Sequence, residues 1–272
     1  MATIVGGFLM SHDPLVFINP RKVDPSPVLA AYEAIGERVR ELEATAAVVI
    51  GADHYILFGP TCLPQMAIGI GDVQGPVDPL PGVDRGPIRG NPDLARHIMD
   101  VGHGEGFDWA AAKSMSVDHS IGVPVRRCLP ADGSVATIPV YLAAGVEPLI
   151  RPRRAFDLGG SIRRAVETFS GSDRVVVIGS GGLSHWVGLP QMGRINKAFD
   201  RMILDAVERG DPEALIGLSD DHVLENGGNG AMEIRQLLCA MGAVGGAGRV
   251  IAYEPWPGGV TGLGFAELGM AA

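Results

Sequence analysis

Two short runs, Ala46-Ala47-Val48-Val49-Ile50 and Val175-Val176-Val177-Ile178, are apolar at every position. A strand with one face in water alternates polar and apolar residues, whereas a strand covered on both faces does not. Residues 3–9, 137–142 and 250–253 repeat this β-branched character, so five strands are expected with 46–50 and 174–178. Longer stretches lie between them. Residues 28–42 set Leu29, Tyr32, Ile35, Val39 and Leu42 at helical spacing, and 157–169, 191–208 and 231–244 are further expected helices. Strand alternating with helix predicts a layered α/β fold with a largely parallel sheet. No internal repeat or low-complexity tail divides residues 1–272, so a single domain is expected. Residues 72–93 are crowded with Gly, Pro and Asp and have no period. They read as an ordered loop of the length used for binding lids, a surface excursion or a subunit contact.

The formal charge is −9, which argues against nucleic acid as the main partner, because phosphate binding needs a basic face. Cys62, Cys128 and Cys239 are odd in number, far apart and lack CxxC spacing, and read as reduced thiols of a cytoplasmic protein. No apolar run approaches the ~20 residues that span a bilayer, so no membrane partner is expected.

Five segments each put one polar, metal-capable side chain where a strand or helix meets a turn. They carry His12, His54, His119, His185 and Glu233. His12 follows the first expected strand and His54 the second. If those strands are parallel neighbours, both imidazoles project into the crevice at the carboxyl ends of the sheet. Asp13 and Asp53 beside them are either solvated turn residues or partners that fix an imidazole tautomer. Glu233 heads a helical stripe with Leu237, Met241 and Val244, and an unpaired buried carboxylate there is costly. It needs a divalent cation or Arg235 as partner, unless it lies in water at a helix start. His185 ends the glycine-rich run 179–184, well placed for acid–base work, and His119 sits in a short polar turn before Gly122 and Pro124. His97, His103 and His222 lack such context. Two imidazoles and one carboxylate suit Fe(II) with open positions, or zinc that activates water.

The segments Ser11-His12-Asp13-Pro14, Asp53-His54-Tyr55, Asp118-His119, Gly179-Ser180-Gly181-Gly182-Leu183-Ser184-His185 and Glu233-Ile234-Arg235 together resemble the class III extradiol ring-cleavage dioxygenases. The resemblance runs over essentially the whole chain. It implies a three-layer α/β/α sandwich, Fe(II) held by His12, His54 and Glu233, and His185 and His119 as exchangeable base and acid. It also implies a small aromatic diol and O2 as reactants. Trp186, Met232 and Ser120 depart from residues common in that family, and the 48 positions from His185 to Glu233 (233 − 185) make a short interval. These departures sit near the expected pocket and bear on which diol is taken. Arg126 and Arg127, and more weakly Arg85 and Arg89, are candidates for gripping a substrate carboxylate. A zinc hydrolase with the same triad and a subunit of a hetero-oligomeric dioxygenase are the alternatives. Glycine-rich loops and an apolar C-terminal tail fit a homo-oligomer.

Overall fold

Every residue of the strand Ala46–Gly51 is buried, as its unbroken apolar run requires. The computed structural model describes residues 1–18, 24–58, 61–256 and 258–269. In chain order the elements are β1 (Thr3–Met10), α1 (Leu15–Ile18), α2 (Ser26–Glu41), β2 (Ala46–Gly51), β3 (Met66–Gln74), β4 (Pro87–Ile88) and α3 (Pro92–Gly104). Next come β5 (Ala110–Ser116), α4 (His119–Cys128), β6 (Ala136–Leu142), α5 (Pro152–Thr168), β7 (Arg174–Ser180) and α6 (Lys197–Arg209). The chain closes with α7 (Pro212–Ile216), α8 (Asp220–Gly227), a 3₁₀ turn at Gly230–Glu233, α9 (Ile234–Val244), β8 (Arg249–Trp256) and β9 (Thr261–Leu268).

All strands join one sheet in the order β4-β3-β6-β2-β7-β1-β9-β8, with β5 also paired to β3. The centre, β6-β2-β7-β1, is parallel; on its flanks β3 pairs antiparallel with β6, β4 with β3, β9 with β1 and β8 with β9. Alternate residues of β2 feed two apolar cores. Ala46, Val48 and Ile50 face one side with α3, α5, α6 and α9, while Ala47 and Val49 face the other with α2 and α4. That is a three-layer α/β/α arrangement. None of the described helices is long and apolar enough to cross a membrane.

Several expectations need correction. Residues 191–196 are not helical: Gly188 and Gly193 take φ of 66° and 101°, and α6 starts only where Asn196 accepts from Phe199 N. His119 is not in a turn but opens α4, with Asp118 as its cap accepting from Ser120 N. The stretch 72–93 contains the end of β3, all of β4 and the start of α3. β3, β5 and β9 were invisible as strands because their runs are interrupted by Gly, Lys or Ser. β9 lies between β1 and β8, so most of the C-terminal tail is core rather than free surface, and its last residues, 270–272, lie outside the described ones. Of the cysteines, Cys128 and Cys239 are buried and Cys62 is exposed.

One helix crossing fixes where the site can form. α5 and α9 approach so closely that a Cβ on Gly159 would collide with Cys239 O and stand 2.7 Å from Ala243 N. On the other side Gly242 meets Phe156 O. Gly159→Ala should therefore lower stability by about 1–3 kcal/mol, as overpacking does, read as a lower urea midpoint with unchanged slope.

Candidate active site

β1 ends at Met10, and Ser11, His12 and Asp13 follow it. β2 ends at Gly51, three residues before His54, and β7 ends at Ser180, five before His185. β1 and β2 are parallel but not neighbours; β7 runs between them and pairs in parallel with both. The three carboxyl ends still open on one side, the usual ligand side of such a sheet. The 3₁₀ turn before α9 brings Glu233 there, and the start of α4 brings His119.

All five expected side chains line a single cavity of about 300 Å³. His12 Nε2 lies 3.4 Å from Glu233 Oε1, and His54 Nε2 lies 3.3 Å from the same oxygen. The other carboxylate oxygen, Oε2, accepts from Gly182 N at 2.6 Å. His12, His54 and His119 each offer a donor atom within 4.8 Å of the others, so a metal ion can be held here. Two donor sets are thus in reach, one completed by Glu233 and one by His119.

The far side of each imidazole is anchored. His54 Nδ1 donates to Asp118 Oδ2 at 2.9 Å, His119 Nδ1 to Asp78 Oδ2 at 3.1 Å, and His185 Nδ1 to Leu183 O at 3.0 Å. These partners only accept, which places the hydrogen on Nδ1 and leaves Nε2 free to accept a proton or bind a metal. His12 Nδ1 pairs with Ser180 Oγ at 2.9 Å. Asp118 is a hub, since it also accepts from His54 N, Ser120 N, Ser120 Oγ and Tyr141 Oη.

The electrostatics follow from this geometry. Burial works against ionising Glu233, yet the attraction of His12 and His54 holds its carboxyl well below the ordinary range. Burial lowers His12, with Glu233 opposing it. Burial also opposes charge on His54, but its hydrogen bonds to Asp118 and Glu233 outweigh it and raise that imidazole well above its usual value. Asp118 is held far down despite burial, mainly by His54. Burial pushes the Asp13 carboxyl up, against the hydrogen bond from Leu15 N. Two ring nitrogens and a carboxylate oxygen within 3.4 Å require positive charge between them, either protons or a metal cation.

Close backbone approach shapes the rest. A Cβ on Gly182 would stand 2.5 Å from His185 Cε1, and one on Gly230 would overlap the same ring. Tyr55 and Val260 hold φ of 63° and 60°, the left-handed region that bulky side chains avoid, one next to His54 and the other in the cavity wall.

Sequence reasoning missed the anchoring residues. Of the two readings of Asp53 the turn residue holds: it accepts from Ile56, Leu57 and Phe58 N in its own turn, and Asp118 rather than Asp53 fixes the His54 tautomer. Asp78 comes from the loop after β3. That loop does not line the cavity; it braces His119 from behind. Arg235 does not pair with Glu233 but is buried against Asp220 and Ile150 O. Arg126 binds Gly75 O, Gly86 O and Asp84, and Arg85 binds Pro76 O and Val77 O. Arg89 binds Gly133 O and Ser134 O, while Arg127 lies over Phe17, so no candidate arginine lines the cavity. His97 pairs with Thr168 at the surface, and His222 sits near Phe199.

Residues 6–263 match the family model described as the catalytic LigB subunit of aromatic ring-opening dioxygenase. The chain belongs to this family. A 2,3-dihydroxyphenylpropionate/2,3-dihydroxicinnamic acid 1,2-dioxygenase of Burkholderia vietnamiensis is 28% identical over 94% of both chains. Its namesake in Rhodococcus globerulus is 30% identical over 72% of this chain and 61% of its own. In fold, the chain is similar to an uncharacterized protein of Escherichia coli K12, with a TM-score of 0.62, 14% identity, and 97% and 100% of the two chains covered. As a member of the LigB family this chain is an extradiol-type ring-opening dioxygenase.

Asp118→Ala should cost about 3–5 kcal/mol, because it strips a buried charge from several donors at once. Ser120→Ala, which removes one hydroxyl, should cost only about 1 kcal/mol. Denaturant unfolding of both variants checks the contrast.

Proposed function

We propose that this chain is an Fe(II)-dependent extradiol dioxygenase that opens the ring of a small catechol-like or hydroxylated heteroaromatic substrate with O2. The observation that carries the reading is the meeting of His12 Nε2 and His54 Nε2 on one oxygen of a buried, ionised Glu233. With the hydrogen of His54 on Nδ1, its Nε2 lone pair would face a carboxylate lone pair, and a divalent cation between them turns that repulsion into ligation. His12, His54 and Glu233 would hold the iron. The set completed by His119 is less suitable, because it would leave the buried anionic Glu233 without the cation it needs. When bound, the ferrous ion would bring diol and O2 together and mediate electron transfer between them.

The protein's own groups then handle protons and water. His185, anchored on the neutral Leu183 O, presents Nε2 to the cavity and serves as the base for a diol hydroxyl. His119, anchored on the Asp78 carboxylate, has an anionic partner for a ring that carries a proton through a step, and serves as the acid. Leu15, Val187, Met192 and Val260 form apolar walls that exclude water around the reacting ring. Residues 1–272 act as one catalytic domain in this reading, and every group named comes from the one chain; homo-oligomerisation would add copies of the same site.

Anaerobic loading with Fe(II), followed by O2 uptake matched to loss of a diol and a coloured ring-opened product, tests the proposal. Absence of uptake across catechols and aminophenols, or oxygen-independent hydrolysis with zinc, would overturn it. Glu233→Ala should fail to retain iron. His185→Ala and His119→Ala should retain iron and lose about 10²–10⁴-fold in turnover, the usual contribution of a positioned acid or base.

A further inference from the structure

His185 stands in a segment, 181–196, that is neither helix nor strand, and Gly181 and Gly182 at its start free the backbone further. A base works only when it is held close to its productive position. The hold lies one residue away, because every polar group of Ser184 is engaged. Its N donates to Asp200 Oδ1 at 2.7 Å and its Oγ to Asp200 Oδ2 at 3.0 Å. The same Oγ accepts from Asn196 N at 2.8 Å, and Ser184 O accepts from Gly262 N at 2.9 Å. On one side of Ser184 is Leu183, whose carbonyl anchors His185 Nδ1, and on the other is His185 itself. Fixing Ser184 therefore fixes the ring and its anchor together.

Asp200, in the first turn of α6, is completely buried and does not line the cavity. Its Oδ2 also accepts from Tyr253 Oη of β8 at 2.7 Å, and a Cβ on Gly262 of β9 would overlap the same oxygen. A buried carboxylate is costly unless donors surround it, and an apolar side chain would fill such a space without that cost. What the carboxylate adds is a two-point hold on one residue of the loop. We propose that Asp200 is a positioning residue for the ring-opening reaction: through Ser184 it fixes His185 over the cavity and so governs removal of the diol proton. The inference rests on the reading of His185 as the base and adds to it.

Asp200→Leu in the full chain should keep its iron, since the hydrogen bonds of Asp200 reach none of His12, His54 or Glu233. Its kcat should fall about 10²-fold, as a displaced catalytic group does, while KM for catechol changes far less. Nitrocatechol bound anaerobically to the iron-loaded protein reports the proton directly, because its absorption spectrum depends on whether its hydroxyls are ionised. Asp200→Leu should move that spectrum toward the protonated form, as His185→Ala does. The double variant should be no slower than His185→Ala alone, because a misplaced base and a missing base are the same loss. Asp200→Asn, which keeps an oxygen for Ser184 N and can donate to the two hydroxyls, should restore most of the turnover. Ser184→Ala, run through the same cycle, gives the answer even where Asp200→Leu does not fold. Losses that multiply in the double variants, or an unchanged nitrocatechol spectrum, overturn the role of Asp200 and leave the dioxygenase reading standing. Full turnover by His185→Ala, or no ring opening by the unaltered protein, overturns that reading itself, and the role of Asp200 falls with it.

Discussion

An ionised carboxylate sealed among apolar helices is the demand that the rest of this architecture answers. Glu233 is 4% exposed, and a charge so placed is tolerated only with opposite charge and donors around it. Its two oxygens divide the work: Oε1 faces His12 and His54, and Oε2 takes the amide of Gly182. That position exists only because α9 begins directly above the end of β7. The close glycine contact of α5 with α9 holds the helix at that height. Packing far from the cavity thus decides where the carboxylate can stand.

The imidazoles are built to the same standard. Each has an anchor on the nitrogen that faces away from the cavity, and each anchor comes from a different element. Ser180 ends β7, Asp118 caps α4, and Asp78 lies in the loop after β3. The anchors turn flexible side chains into fixed donors, which is what ligation and proton transfer both require. They also give chemically identical residues different surroundings, since His119 leans on an anion and His185 on a neutral carbonyl.

Much of the layering was legible in the residues. Uninterrupted apolar runs marked β2 and β7 as buried on both faces, and the histidine after each strand marked the ligand side. Elements without a clear period were not legible. β3 carries Gly69 and Gly71, β5 carries Lys113 and two serines, and residues 191–196 have helical spacing although Gly193 takes a left-handed φ. Glu233 stood out as a carboxylate heading an apolar stripe, though its position in a 3₁₀ turn did not.

Local chemistry alone was enough to pick out five side chains that line the cavity, because strand periodicity and turn residues act over a few positions. Their partners could not be found that way. Asp118 stands 64 positions from His54, Asp78 stands 41 from His119, and Ser180 stands 168 from His12. Those pairings follow from the order of strands in the sheet, above all β7 lying between β1 and β2, and strand order is settled by long-range packing that no local pattern encodes.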